Sequence, residues 1–128
     1  MNSLIPRALS LLLAALACLF VVMGLRWLVA PAGIAAQLGL TLETGLGLSS
    51  QVGDISAFFL VAGMSGLTAL VSRQRVWFYP TAMLLLFAAC GRTVAWIIHG
   101  ADFAGEMIVF EVTVAGLFLA GSRVLTTR

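Results

Sequence analysis

Polar residues are sparse along this chain and gather in short clusters, with four apolar segments between them. These segments cover about residues 8–29, 52–72, 76–98 and 103–121. Each is close to the roughly 20 residues that a helix needs to cross a bilayer. The pattern predicts an all-α protein, a transmembrane four-helix bundle forming one domain over residues 1–128. No soluble domain and no internal repeat stand out.

The polar clusters set the connections. Pro31-Ala32-Gly33 breaks the first segment. Ile34–Leu40 has room for a short interfacial helical turn, and Thr41–Ser50, rich in Gly, Thr and Ser, reads as loop. Residues 30–51 are thus expected to form one long loop, which either covers a site or simply connects two spans. Arg73-Gln74-Arg75 and His99-Gly100-Ala101-Asp102 read as tight polar turns. Trp77, Phe78 and Tyr79 open the third segment as interface residues. Pro80 falls in its first turn, where proline need not kink a helix. Asp54 opens the second segment, where an acid suits the positive end of the helix dipole. The pairs Ala62/Gly66 and Ser65/Ala69 have the small-residue spacing that lets helices approach closely in lipid. That contact can lie within one chain or between copies in a homo-oligomer.

Composition fixes the solvent. The 128 residues are 62% hydrophobic and 9% charged, with mean hydropathy +1.12. A soluble domain carries roughly a quarter charged residues, so the surroundings of this chain are expected to be largely lipid. Seven arginines, no lysine and five acids give net charge +2, too little for a nucleic-acid partner. The placement of these charges says more than their sum. Arg7, Arg73, Arg75, Arg123 and Arg128 fall on one side of a four-span layout; Glu43, Asp54, Asp102 and Glu106 fall on the other. The positive-inside rule then puts both termini in the cytoplasm, N-in/C-in, with residues 30–51 extracytoplasmic. Residues 1–24 also resemble a signal peptide. A lipoprotein site would want Leu three residues before Cys18, where Ala15 stands, and the apolar run continues through Met23, so a retained first span is expected. Cys18 and Cys90 have no metal or redox spacing and read as small buried hydrophobes.

Candidate chemistry begins at the last turn. Arg92 lies seven residues before His99, and Glu111 seven after Ala104. At the helical rise per residue both would sit about 10 Å below one membrane surface. Charges at such depth are costly and face a partner or a cavity. Arg26 and Asp54 lie toward the same face, and Trp96 and His99 follow Arg92 at near-helical spacing. Arg26, Asp54, Arg92, Trp96, His99 and Glu111 are therefore the candidate ligand-binding residues. Such a pocket would suit an apolar or amphiphilic small molecule: a lipid, quinone or isoprenoid. The same charges can also simply neutralise one another and lock the helices in register. An enzyme reading uses Asp54, Arg92 and Glu111: one carboxylate activates water while an acid held by arginine donates a proton. That would open an epoxide or shift a double bond, with the residue types, though not the fold, of limonene-epoxide-type hydrolases. No metal site and no cofactor is expected, because His99 with Asp102 and Glu106 makes a poor ligand set and no phosphate-binding loop occurs.

Arg26-Trp27, Pro31-Ala32-Gly33, Gly53-Asp54 followed by Phe58-Phe59, Gly91-Arg92, His99-Gly100 and Glu111 together form a pattern spread over nearly the whole chain. In it the chain resembles the small bacterial four-helix membrane proteins related to the DoxX group. The resemblance implies a multi-pass protein of the bacterial inner (cytoplasmic) membrane and points to the polar positions just named. It implies no particular activity. DoxX relatives are associated with redox-linked membrane complexes, which suggests an accessory-subunit role, but this chain lacks paired cysteines for thiol chemistry.

Overall fold

The computed structural model describes residues 3–127. They are helical, with no strand among them. Helix α1 runs Leu4–Val29. It stops because Pro31 bars the preceding residue from helical geometry: Ala30 sits at φ −143°, ψ 66°. Pro31 then takes the first position of a short helix, α2, Pro31–Ala35, where its missing N–H costs nothing. A 3-10 turn over Ala36–Leu38 ends at Gly39, which adopts a left-handed φ of 70°.

The second long helix is the main departure from expectation. It begins at Gly45 rather than near residue 52 and runs unbroken to Ser72. It comprises α3, Gly45–Ser50, a π-helical turn over Gln51–Ile55, and α4, Ser56–Ser72. Loop composition misleads here because helix propensity is a weak prior that context overrides. The Gln51 side chain fastens the remaining loop: its Oε1 accepts from the Glu43 N–H at 2.8 Å, and its Nε2 donates to the Thr41 carbonyl at 2.9 Å. The expectation that Asp54 stands in the first turn of its helix is likewise corrected, since Asp54 lies inside the π-helical turn, well past Gly45.

A 3-10 turn over Arg75–Trp77 leads into α5, Phe78–His99, which closes on Gly100 at φ 71°. Helix α6 runs Gly105–Val124. Four helices are therefore long and apolar enough to cross a membrane: Leu4–Val29, Gly45–Ser72, Arg75–His99 and Gly105–Val124. Arg128, counted with the arginines of one end, lies outside the described residues.

Helix α1 packs on α4 and α6, and α5 packs on α4 and α6. The small residues of α4 serve the first of these contacts. A Cβ added at Gly63 would lie 2.7 Å from the Ala17 carbonyl oxygen, and one at Gly66 would lie 3.1 Å from the Ala17 Cβ. Ala62, Ser65, Gly66 and Ala69 are all buried within the one chain. Thr81 ties α5 to α4 by donating to the Ala62 carbonyl at 2.7 Å. Phe20, Phe78, Leu85 and Phe118 fill the centre. Leu11, Val71, Phe87 and Ile97 point outward, so large apolar side chains lie on the outer surface as well as in the core, the pattern expected of helices that face lipid. Cys18 and Cys90 are exposed on that surface, which corrects the expectation that they are buried. Inward and outward positions of these helices are apolar alike in sequence, so composition alone could not separate the two.

Candidate functional site

The site lies toward the end where α5 turns into α6. Arg92 comes seven residues before the end of α5, and Glu111 comes six after the start of α6. The rise per residue puts them at depths of about 10 Å and about 9 Å along antiparallel neighbours. The Arg92 Nε donates to Glu111 Oε1 at 2.8 Å. This is the one ion pair among the described residues. Its partners are unequally buried, with 37% of the arginine side chain exposed against 8% of the glutamate. Glu111 Oε2 is buried and meets no hydrogen-bond donor among the described residues. A buried polar group left unpaired costs roughly 1–3 kcal/mol, and more when charged. The site therefore favours any molecule that brings an O–H or N–H to that oxygen.

Both side chains line a cavity of about 230 Å³. Phe20 and Met23 come from α1, Phe58 and Phe59 from α4, Leu85 from α5, and Met107 and Phe110 from α6. Phe59 meets Phe20 at a tilt and Phe58 edge-on, and Phe110 meets Phe20 edge-on at 6.4 Å. Leu38 adds the connecting segment to the wall. That segment is held down because Ile34 and Ala35 pack on buried Trp27. Leu38 is thus the residue of the long connection that reaches the site. Glu106 and Phe110, also in the lining, are exposed, so the cavity has an open side.

The other sequence candidates lie elsewhere. Arg26 is exposed, turned about 100° round α1 from buried Trp27, and its guanidinium reaches toward Gly33. Asp54 is exposed in the π-helical turn. Trp96 stacks on Phe103 with ring centroids 4.8 Å apart, and His99 is exposed at the end of α5. None of the four lines the cavity. Of the three residues named for acid–base chemistry, Arg92 and Glu111 meet and Asp54 stands apart. Glu106 supplies the second carboxylate of the lining instead. Helical spacing could have marked the wall, because Met107 is four residues before Glu111 and Glu106 four before Phe110. No group of three or more His, Cys, Asp or Glu gathers as a metal site among the described residues.

Chemically, the cavity is an aromatic and thioether box with one carboxylate oxygen in need of a donor and a guanidinium able to give more bonds. It can hold the polar end of an apolar molecule by donating and accepting at neighbouring points. No protein-family model, no curated protein and no solved structure matches the chain.

Proposed function

We propose that the chain is an N-in/C-in transmembrane four-helix bundle of the bacterial inner membrane, related to the DoxX group. In this reading it binds an apolar or amphiphilic small molecule in the Arg92–Glu111 cavity, alone or as the accessory subunit of a larger assembly. The observation that carries the reading is the buried Glu111 Oε2 without a donor, beside a cavity walled by Phe20, Phe58, Phe59 and Phe110. The cavity volume of about 230 Å³ exceeds the ~150 Å³ that accepts benzene and falls short of the ~300–1,000 Å³ of drug-sized pockets. It suits a single ring or a short polar head, with any longer tail left in the bilayer. A quinone-type ring or the hydroxyl end of an isoprenoid meets that description; a whole phospholipid does not.

A second reading uses the same oxygen as a general base. Glu111 would take a proton from water or from an allylic carbon, Arg92 would steady its charge, and Glu106 would replace Asp54 as the proton donor. The support for it is the carboxylate pair Glu106 and Glu111 on one cavity wall.

The test is extraction. Protein purified from its membrane in mild detergent is stripped with organic solvent, and the extract is compared by mass spectrometry with that from Met107→Trp, which fills the cavity. The wild type should yield an apolar compound bearing a hydroxyl or carbonyl head that the variant lacks. Identical extracts would contradict binding. Consumption of that compound by the wild type but not by Glu111→Gln would favour the enzyme.

A further inference from the structure

We propose that the arginine-bearing end of the molecule carries a second site, a pocket for the phosphate of an anionic phospholipid. A cavity of about 560 Å³ opens there between the start of α1, the end of α4 and the segment after α6. Arg7 and Arg73 both line it, and no carboxylate does among the described residues. Within those residues neither arginine enters an ion pair. Arg75, their neighbour, is already committed, its Nε donating to the Ser122 carbonyl at 3.0 Å. Two guanidinium groups that meet no acid among the described residues share one cavity and call for an anion, and the planar fork of arginine matches the oxygens of a phosphate two at a time.

The backbone gives Arg73 unusual treatment. It is the only non-glycine residue at positive φ among the described residues, at 55°. Its carbonyl accepts the Thr127 N–H at 3.2 Å, which ties the chain end to the same corner. Glycine is the usual choice at such a helix stop, so the arginine is kept at a conformational cost, and strain of this kind concentrates at functional positions. Ser3 and Ser10 add hydroxyls, and Ser3 makes no capping bond to its own helix.

The rest of the lining decides between a lipid and a free ion. Leu11 and Leu70 form an apolar wall beside the arginines, and Leu11 is open to the outside of the molecule. A phosphate seated between the guanidinium groups would leave its acyl chains along that wall. On the positive-inside rule this end faces the cytoplasmic leaflet, where anionic lipids are found.

The test titrates purified protein in detergent with short-chain phosphatidylglycerol, with phosphatidylcholine of the same chains, and with inorganic phosphate, read by native mass spectrometry. The comparison variants are Arg7→Gln with Arg73→Asn, asparagine being chosen because it tolerates left-handed backbone, and Arg123→Gln as a control at the same end but outside the cavity. Thermal unfolding confirms that each variant is folded. At about fivefold per surface arginine, the double variant should bind phosphatidylglycerol roughly thirtyfold more weakly. Arg123→Gln should stay within about twofold of the wild type, and phosphatidylcholine should bind far less well. Displacement of phosphatidylglycerol by inorganic phosphate alone would keep a phosphate site but overturn the lipid. Equal losses in the double variant and in Arg123→Gln, or no preference for phosphatidylglycerol, would overturn the pocket itself.

Discussion

Arg92 and Glu111 are joined at 2.8 Å, but the arginine is partly exposed and the glutamate is buried. The asymmetry makes the two halves of the pair unequal under mutation. Arg92→Met leaves a buried carboxylate with neither oxygen paired, a change on the order of 3 kcal/mol or more. Glu111→Gln leaves an arginine that can turn outward, and should cost roughly 1 kcal/mol. The double variant should regain part of the Arg92→Met loss, because contacting residues are not additive. Asp54 is exposed, is not part of the cavity lining and makes no ion pair with Arg92, so the same cycle on Arg92 and Asp54 should be additive. Thermal unfolding in detergent measures both cycles. Coupling of Arg92 to Asp54 instead would mean that the wrong carboxylate is paired.

The contact between α1 and α4 depends on missing side chains. Gly63→Ala would push a methyl to within 2.7 Å of Ala17 and Val21 backbone atoms, which cannot move without shifting a helix. A loss of about 1–3 kcal/mol is expected. Gly91 meets nothing within 4 Å, so Gly91→Ala should be neutral or gain up to about 1 kcal/mol from helix propensity. Equal melting temperatures for the two variants would show that the helices are not held this closely.

Orientation is open to chemical labelling. Cys18 and Cys90 are exposed, so both must first be changed to alanine. In that background Thr44→Cys and Ala101→Cys should react with a membrane-impermeant thiol reagent on intact cells, and Gln74→Cys only after lysis. Labelling at position 74 from outside would reverse the N-in/C-in layout.

Much of this architecture was legible because lipid imposes long apolar runs, and such runs need no periodicity to be read as helices. The Arg92–Glu111 contact was legible too, since a short turn puts equal counts on either side at equal depth. Faces were harder. Arg26 and Trp27 are neighbours, but one residue turns a helix by about 100°, and Trp27 took the inward place. The π-helical turn at Gln51–Ile55 inserts backbone that spacing rules assume absent, so Asp54 cannot be placed by counting from α4. Trp96 keeps the spacing of Arg92 but finds Phe103 beyond the cavity. The start of the second long helix was hidden by Gly45 and Gly47, residues that read as loop. The aromatic walls of the cavity come from helices far apart in sequence, and only packing brings Phe20, Phe59 and Phe110 together.

Glu111 Oε2 is buried with no donor among the described residues, and a bound apolar molecule is proposed to supply one. The most direct measurement compares a short isoprenoid alcohol with its methyl ether, which keeps the shape and loses the O–H. Affinities are read in detergent for the wild type, Glu111→Gln and the cavity-filling Met107→Trp. A hydrogen bond to a charged acceptor is worth roughly 1.5–3 kcal/mol, so the wild type should prefer the alcohol by about tenfold or more. Glu111→Gln should lose most of that preference, and Met107→Trp should weaken both compounds. Equal binding of alcohol and ether to the wild type, or binding of both undiminished in Met107→Trp, would contradict the account.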